Sequence, residues 1–227
     1  MEFDFSPLLI SIKTSIVASI IVFIAGVVIA RLLLNVHNKL SWILDVLFTL
    51  PLVLPPTVVG FLLLIFFGKN SPIGTFLESI GISVIFTWQA TLIAAVVVSF
   101  PLMYRAARGA LEQVDSNLIW AGRTLGLSEF KIFLRIAIPQ AWPGIAAGLI
   151  LAFARALGEF GATLMIAGNI PKVTQTIPLA IYFSTAAGKM DIAAIWVMII
   201  ICISCMALGL MNFWGKREKS LFKRNIS

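Results

Sequence analysis

An arginine and a glutamate lie four residues apart within an apolar stretch of the sequence, residues 143–167. A spacing of four places Arg155 and Glu159 on one face of a helix, where the carboxylate can reach the guanidinium. An unpaired arginine at the bilayer centre costs at least ~2.5–3.5 kcal/mol on insertion scales, and pairing removes much of that cost. Two interpretations stay open: a buried ion pair that fixes helix packing, or a face that borders a path for an anion.

On a continuous helix this pair shares an arc of roughly 100° with mostly small residues. The residues on the arc are Gly144, Gly148, Leu151, Ala152, Arg155, Glu159, Ala162 and Ile166. Because the two glycines form a G-x-x-x-G motif, we expect another helix to approach this face closely.

Motifs that would carry catalysis or bind a metal are missing from the sequence. It contains no G-x-x-x-x-G-K-[ST] nucleotide motif, no H-E-x-x-H and no G-x-S-x-G. Cys202 and Cys205 fall inside the last apolar stretch, away from the single histidine, His37, so we interpret them as packing residues. We predict no enzymatic activity, no nucleotide hydrolysis and no cofactor.

The composition indicates an integral membrane protein. Of the 227 residues, 60% are apolar and 12% are charged, whereas a soluble domain carries about 25% charged residues. Five stretches are long enough to span a bilayer, approximately 10–34, 46–67, 82–104, 143–167 and 192–214. They leave no room for a second domain, so we predict one all-α polytopic domain over residues 1–227. The acidic start lacks a basic region, which predicts that the first span is retained.

The distribution of Lys and Arg predicts the orientation of these spans. Twelve of the 17 cations fall on one side of a five-span arrangement. They are Arg31, Lys39, Arg105, Arg108, Arg123, Lys131, Arg135, Lys216, Arg217, Lys219, Lys223 and Arg224. The N-terminus is therefore predicted outside and the C-terminus inside, and the net charge of +7 reflects this bias and does not indicate a nucleic-acid partner.

Two segments do not follow the simple five-span pattern. Residues 174–188 are too short and too polar to span, so a sixth helix that is short or re-entrant is the alternative for this segment. The second span opens with "TLPLVLPPTVVG", whose prolines disfavour a straight helix. This start is either a bent or broken helix lining a cavity, or a proline-rich loop at the membrane interface.

Residues 118–139 differ from the spans around them, because cations and one carboxylate interrupt the apolar residues. We predict a short helix over 119–125 that Gly126 stops. A second helix, capped by Ser128 with Glu129 in its first turn, is predicted to run to about residue 138, where Pro139 and Pro143 mark the passage into the fourth span. A DNA-binding helix-turn-helix is disfavoured so close to the bilayer. The other interpretations are a lipid-binding surface helix and a docking element for a partner.

The spacing Ala121-Gly122-x-x-x-Gly126, nine residues, then Ile136-x-Ile138-Pro139 resembles the "EAA" loop of ABC importer permeases, E-A-A-x-x-x-G-x9-I-x-L-P. Trp120 stands where that motif usually has glutamate. With residues 99–115 and 153–182, the sequence resembles the molybdate/tungstate/sulfate permease group, and "TQTIPLAIY" looks more like its molybdate permeases.

This resemblance implies the membrane subunit of a molybdate ABC importer, multi-pass in the inner membrane. Two copies would form the pathway, two separate cytoplasmic ATPase subunits would bind them, and an extracytoplasmic binding protein would deliver the oxyanion. Residues 118–139 would be the cytoplasmic coupling loop, with these candidate residues: Leu118, Trp120, Ala121, Gly122, Leu125, Gly126 and Pro139. The alternatives are a permease for sulfate, thiosulfate or tungstate and, more distantly, an ATP-independent carrier or channel, although we see no inverted repeat.

Overall fold

The structure is a computed structural model that describes residues 4–34, 36 and 39–224, with side chains up to residue 209. Its helices are α1 (Ser6–Leu33), α2 (Lys39–Val53), α3 (Pro56–Phe67), α4 (Pro72–Ser79), α5 (Trp88–Glu112), α6 (Ser116–Thr124), α7 (Glu129–Ile132), α8 (Ile138–Leu157), α9 (Gly161–Ala167), α10 (Ile177–Ala186) and α11 (Met190–Arg224). His37 and the last three residues lie outside the described residues, as do the side chains of the basic tail.

Within the described residues, four helical segments are long and apolar enough to cross a membrane: α1, α5, Glu129–Leu157 and Met190–Gly209. A fifth crossing is supplied if α2 and α3 count as one broken span. The predicted all-α, polytopic architecture with about five spans is therefore confirmed. The predicted boundaries, however, are wrong in two of the spans.

The proline-rich start of the second span is a sharp bend. α2 and α3 meet at an angle of 117° across a break of two residues. Pro55 is the N-cap of α3, with a non-helical ψ of 137°, and Pro56 opens the helix, where its missing N–H is not needed. Because α2 is helical up to Val53, these prolines break a helical element instead of forming a loop before it.

The third span begins at Trp88 and ends at Glu112, later at both ends than the predicted 82–104. The preceding residues form turns in which Gly81 and Phe86 have positive φ angles of 78° and 61°. The amide of Phe86 donates to the carbonyl oxygen of Ile166 at 3.1 Å. This tertiary contact holds the apolar segment before α5 out of the helix.

The fourth span is also different from the predicted uninterrupted helix over 143–167. It starts at Glu129 and stops at Leu157, and α9 then begins at Gly161. Consequently, the predicted arc is continuous only as far as Arg155, and Glu159, Ala162 and Ile166 follow a break.

Small side chains bring α1, α5 and α8 together in the core. A Cβ atom at Gly144 would lie 2.7 Å from the Cβ of Ala110, and one at Gly148 would collide with the Cβ of Ala106. α8 therefore meets α5 through the predicted G-x-x-x-G face, as expected. Buried Ala18, Ala30, Ala95 and Ala107 continue this close packing along α1 and α5.

The short helices that follow the two breaks pack on each other. A Cβ atom at Gly60 of α3 would lie 2.7 Å from the Cα of Ala162 in α9, and one at Gly161 would lie 3.1 Å from the Cβ of Pro56. The segment 174–188 contains the 10-residue helix α10. At 1.5 Å per residue, α10 is about 15 Å long and too short to span a bilayer.

Candidate coupling loop and intramembrane ion pair

The short helix predicted within residues 118–139 is α6, which extends from Ser116 to Thr124. Its first turn is capped by Asp115, whose carboxylate accepts from the amide of Asn117 at 2.8 Å. At its other end Gly126 has a φ of 73°. The Gly126 amide donates to the carbonyl of Arg123, and the Leu127 amide donates to the carbonyl of Gly122. This pair of bonds is a Schellman motif, so the predicted glycine stop is confirmed.

The second helix of the loop does not end near residue 138. Ser128 caps it, accepting from the amide of Lys131 at 3.4 Å, and the helix then runs without a break from Glu129 to Leu157. A π-helical turn, Phe133–Ala137, precedes Pro139. The π-helical turn is wider than an α-helical turn and is followed by Pro139 at the start of α8. The helix can therefore accommodate the proline ring and the missing N–H of Pro139 at this point. α6 is thus linked by one glycine turn to a helix of 29 residues.

The apolar candidate residues of the loop, which would contact a docking partner, are exposed. Leu118, Trp120 and Leu125 have 40%, 58% and 78% of their surface accessible. Ala121 is exposed as well, as is Pro139. Gly122 instead lies on the inner face of α6, where a Cβ atom would be 2.9 Å from Cδ1 of Ile136.

Two further exposed apolar side chains were missed in the sequence. Phe130 and Leu134 follow on the next helix and are 70% and 45% exposed. Their spacing of four, which puts them on one helical face, is the signal that could have identified them. They extend the apolar surface of the loop beyond α6.

An ion cluster lies beside this apolar surface. The Glu129 carboxylate accepts from Nε and Nη2 of Arg123 at 2.7 and 3.3 Å. Arg31, at the end of α1, donates to the same carboxylate at 3.3 Å. The hydrogen bond to Glu129 raises the pKa of the Arg123 guanidinium above its ordinary value. Sequence reasoning missed the cluster because Arg31 and Glu129 are 98 residues apart.

Arg155 and Glu159 form the predicted ion pair, although across the end of α8. Nη1 of Arg155 lies 2.6 Å from Oε2 of Glu159, while Oε1 accepts from the amide of Ala162 at 2.7 Å. The arginine is therefore in the last turn of α8, and the carboxylate is at the start of α9. Both charges complement the helix dipoles at these ends. The Glu159 side chain is 2% exposed, whereas that of Arg155 is 29% exposed.

A comparison with known protein families identifies the family of this chain. The family described as "Binding-protein-dependent transport system inner membrane component" matches residues 14–213. The chain belongs to this family. As an inner-membrane component of such a system, it is a permease-type subunit and not an enzyme, and the resemblance seen in the sequence is confirmed.

Curated relatives within the family are similar over almost the whole chain. The putative molybdenum transport system permease protein YvgM of Bacillus subtilis (strain 168) is 46% identical over 205 residues, 90% of each chain. The molybdenum transport system permease protein ModB of Escherichia coli (strain K12) is 42% identical over 212 residues, 92% of this chain and 90% of the relative.

A solved structure supports the fold assignment. The bacterial ABC transporter involved in import of the acidic polysaccharide alginate contains a chain with a TM-score of 0.73 and 17% identity. The match covers 94% of this permease and 79% of that chain. At this identity the similarity concerns the fold alone.

Proposed function

We propose that this permease is the membrane subunit of a molybdate ABC importer. Its similarity to molybdenum transport permeases, 46% and 42% identity over nine-tenths of the chain, is the observation that carries the substrate. The "TQTIPLAIY" segment of the sequence supports the same choice. The tetrahedral molybdate anion is the transported species, and the protein binds no cofactor or nucleic acid.

The proposed assembly contains two copies of the permease, which together form the pathway. Two separate ATPase subunits bind on the cytoplasmic side, because the permease sequence has no phosphate-binding motif of its own. An extracytoplasmic oxyanion-binding protein delivers the substrate. The cation distribution supports an N-terminus outside and a C-terminus inside, with residues 118–139 facing the ATPase.

Within this assembly, residues 118–139 transmit force from the ATPase to the membrane. α6 has nine residues and is about 14 Å long, which fits a cleft on a partner but is too short to be stable alone. Exposed Leu118, Trp120 and Leu125 are the apolar anchors for that cleft. The Gly126 turn sets the angle between α6 and the helix that ends in the Arg155 turn.

Arg155 borders the pathway in this proposal. Its side chain is partly exposed while that of its partner Glu159 is buried, so an anion would approach the pair from the arginine side. An unpaired cation in a low-dielectric path would hold a divalent oxyanion too tightly to release it. Pairing with Glu159 weakens this attraction, as is needed at a site that must first bind the oxyanion and then release it.

Uptake of labelled molybdate tests the proposed substrate and energy source. The permease, its ATPase and its binding protein are reconstituted in vesicles, and uptake is measured with and without ATP and with equimolar sulfate or tungstate. We expect ATP-dependent uptake that equimolar sulfate leaves largely intact. Strong inhibition by sulfate would refute molybdate selectivity, and uptake without ATP or the ATPase would indicate a carrier or channel.

A further inference from the structure

Glu129 joins three elements through one carboxylate. It accepts two hydrogen bonds from Arg123 of α6 and one from Arg31 of α1, and it is itself the first residue of α7. The guanidinium of Arg31 also lies 5.5 Å from the ring of Phe133, in the π-helical turn. α1, α6 and the α7–α8 helix therefore meet at this carboxylate.

Among the described residues, the other packing contacts of α6 come from two residues, Ile119, which lies against the hydrophobic core, and Gly122. Gly122 is its buried residue, in contact with Ile132 and Ile136. The turn that follows depends on Gly126, a residue type whose backbone is unusually free. A bidentate arginine–carboxylate pair adds a directional restraint across that turn, because its geometry is satisfied in a narrow range of orientations. Glu129 is also the one carboxylate in the sequence between residues 118 and 139.

The Arg31 contact ties this restraint to the far end of α1. α1 is an unbroken helix, and its other half is held by two interhelical hydrogen bonds. The Ile177 amide donates to Ser11 Oγ at 2.8 Å, and Trp88 Nε1 donates to Thr14 Oγ1 at 2.9 Å. From Ser11 to Arg31 the helix covers about 30 Å, the thickness of a bilayer core.

We infer that Glu129 is a positioning residue of the coupling loop, which holds α6 in a fixed orientation to the end of α1. α1 then connects α10 at one end of the molecule with the docking helix at the other. The inference rests on the proposed function of residues 118–139. The Glu129 carboxylate orients α6 although it lies outside that helix. It does not replace the glutamate usual in the EAA motif, because that position is occupied by Trp120 in this chain.

Two measurements on the full transporter test this role. Spin labels at Leu32 and Thr124, both exposed, report the distance between α1 and α6 in a background without the native cysteines. ATPase activity with and without loaded binding protein reports coupling. The variants are Glu129→Gln and Arg31→Gln, with Arg31→Lys as the conservative rescue. Lys39→Gln, at an exposed cation without an ion pair among the described side chains, is the matched control.

We expect a narrow distance distribution in the parent and in Lys39→Gln, and a broadened one in Glu129→Gln and Arg31→Gln. In the same two variants the stimulated ATPase activity should fall at least fivefold, while the amount of permease in the membrane stays unchanged. Arg31→Lys should recover most of this activity. A broadened distribution with normal stimulation would overturn the inference, and so would lost stimulation with an unchanged distribution. If the parent complex shows no stimulation at all, the proposed function fails, while the distance measurement still tests the contact.

Discussion

Replacing Arg155 by leucine tests how the buried charge of Glu159 is stabilised. The substitution removes the Nη1 donor of the 2.6 Å bond. Glu159, 2% exposed, keeps the Ala162 amide as a hydrogen-bond donor but loses its counter-charge. A buried carboxylate without a cation is strongly disfavoured, so the substitution leaves this charge without compensation.

The expected loss of stability follows from the exposure of the two side chains. Removing one partner of a fully buried pair costs about 3–5 kcal/mol, whereas an exposed pair contributes about 0–1 kcal/mol. Because the Arg155 side chain is 29% exposed, the pair is only partly buried, and we expect an intermediate loss of about 2–3 kcal/mol. At about 2–4 °C per kcal/mol for a chain of this size, Tm should fall by roughly 4–12 °C.

The double variant Arg155→Leu/Glu159→Gln should recover most of this loss, because the glutamine oxygen still accepts from Ala162 and no charge remains. Thermal unfolding of the purified protein in detergent measures both variants. Arg105→Leu is the control: that exposed arginine makes no ion pair with a described side chain, so its change should stay within about 0.5 kcal/mol. A double variant no more stable than the single one would refute the reasoning. Normal transport by a stable double variant would exclude Arg155 from the pathway.

Three further predictions concern the loop, the core and the orientation. Gly126→Val should leave the permease in the membrane but abolish ATPase stimulation by loaded binding protein, since a φ of 73° costs an L-residue about 1–2 kcal/mol; normal stimulation would contradict this. Gly148→Ala should lower the free energy of unfolding by about 1–3 kcal/mol through overpacking, while Gly109→Ala, with open space at its Cβ, should not; equal Tm values would refute the packing argument. A cysteine at Lys69 should react with an impermeant thiol reagent from outside intact cells and one at Lys131 should not; the reverse pattern would invert the orientation.

The features that sequence reasoning predicted correctly depend on composition or on near neighbours in the chain. Long apolar stretches identify spans because a bilayer core sets their length. The stop of α6 at Gly126 and the cap at Ser128 are formed by atoms within a few residues, so local residue types are sufficient to predict them. The Arg155–Glu159 contact was also predicted, because a spacing of four brings the two side chains together even though the helix ends between them.

Of the features it missed, one depends on a contact between distant segments and another on a local hydrogen bond. Phe86 is held outside α5 by a hydrogen bond to Ile166, which no local pattern indicates. The end of α8 had a weak signal, since Gly158 and Gly161 each disfavour a helix interior by about 1 kcal/mol. Whether the helix ends there is decided by the Glu159 carboxylate, which provides the acceptor that the first turn of α9 needs.

The break between α8 and α9 explains why a charged pair is present in this apolar chain. A helix that stops inside a membrane protein leaves backbone N–H groups without partners, and lipid offers none. At the start of α9, Glu159 supplies an acceptor for one of them, and Arg155 in turn balances the buried carboxylate. α3 then packs on α9 at Gly60 and Gly161, so that the two short helices stabilise each other. The break alone accounts for Glu159 being buried. It does not require the Arg155 side chain to be partly exposed, and that exposure is the feature that a path for an oxyanion would use.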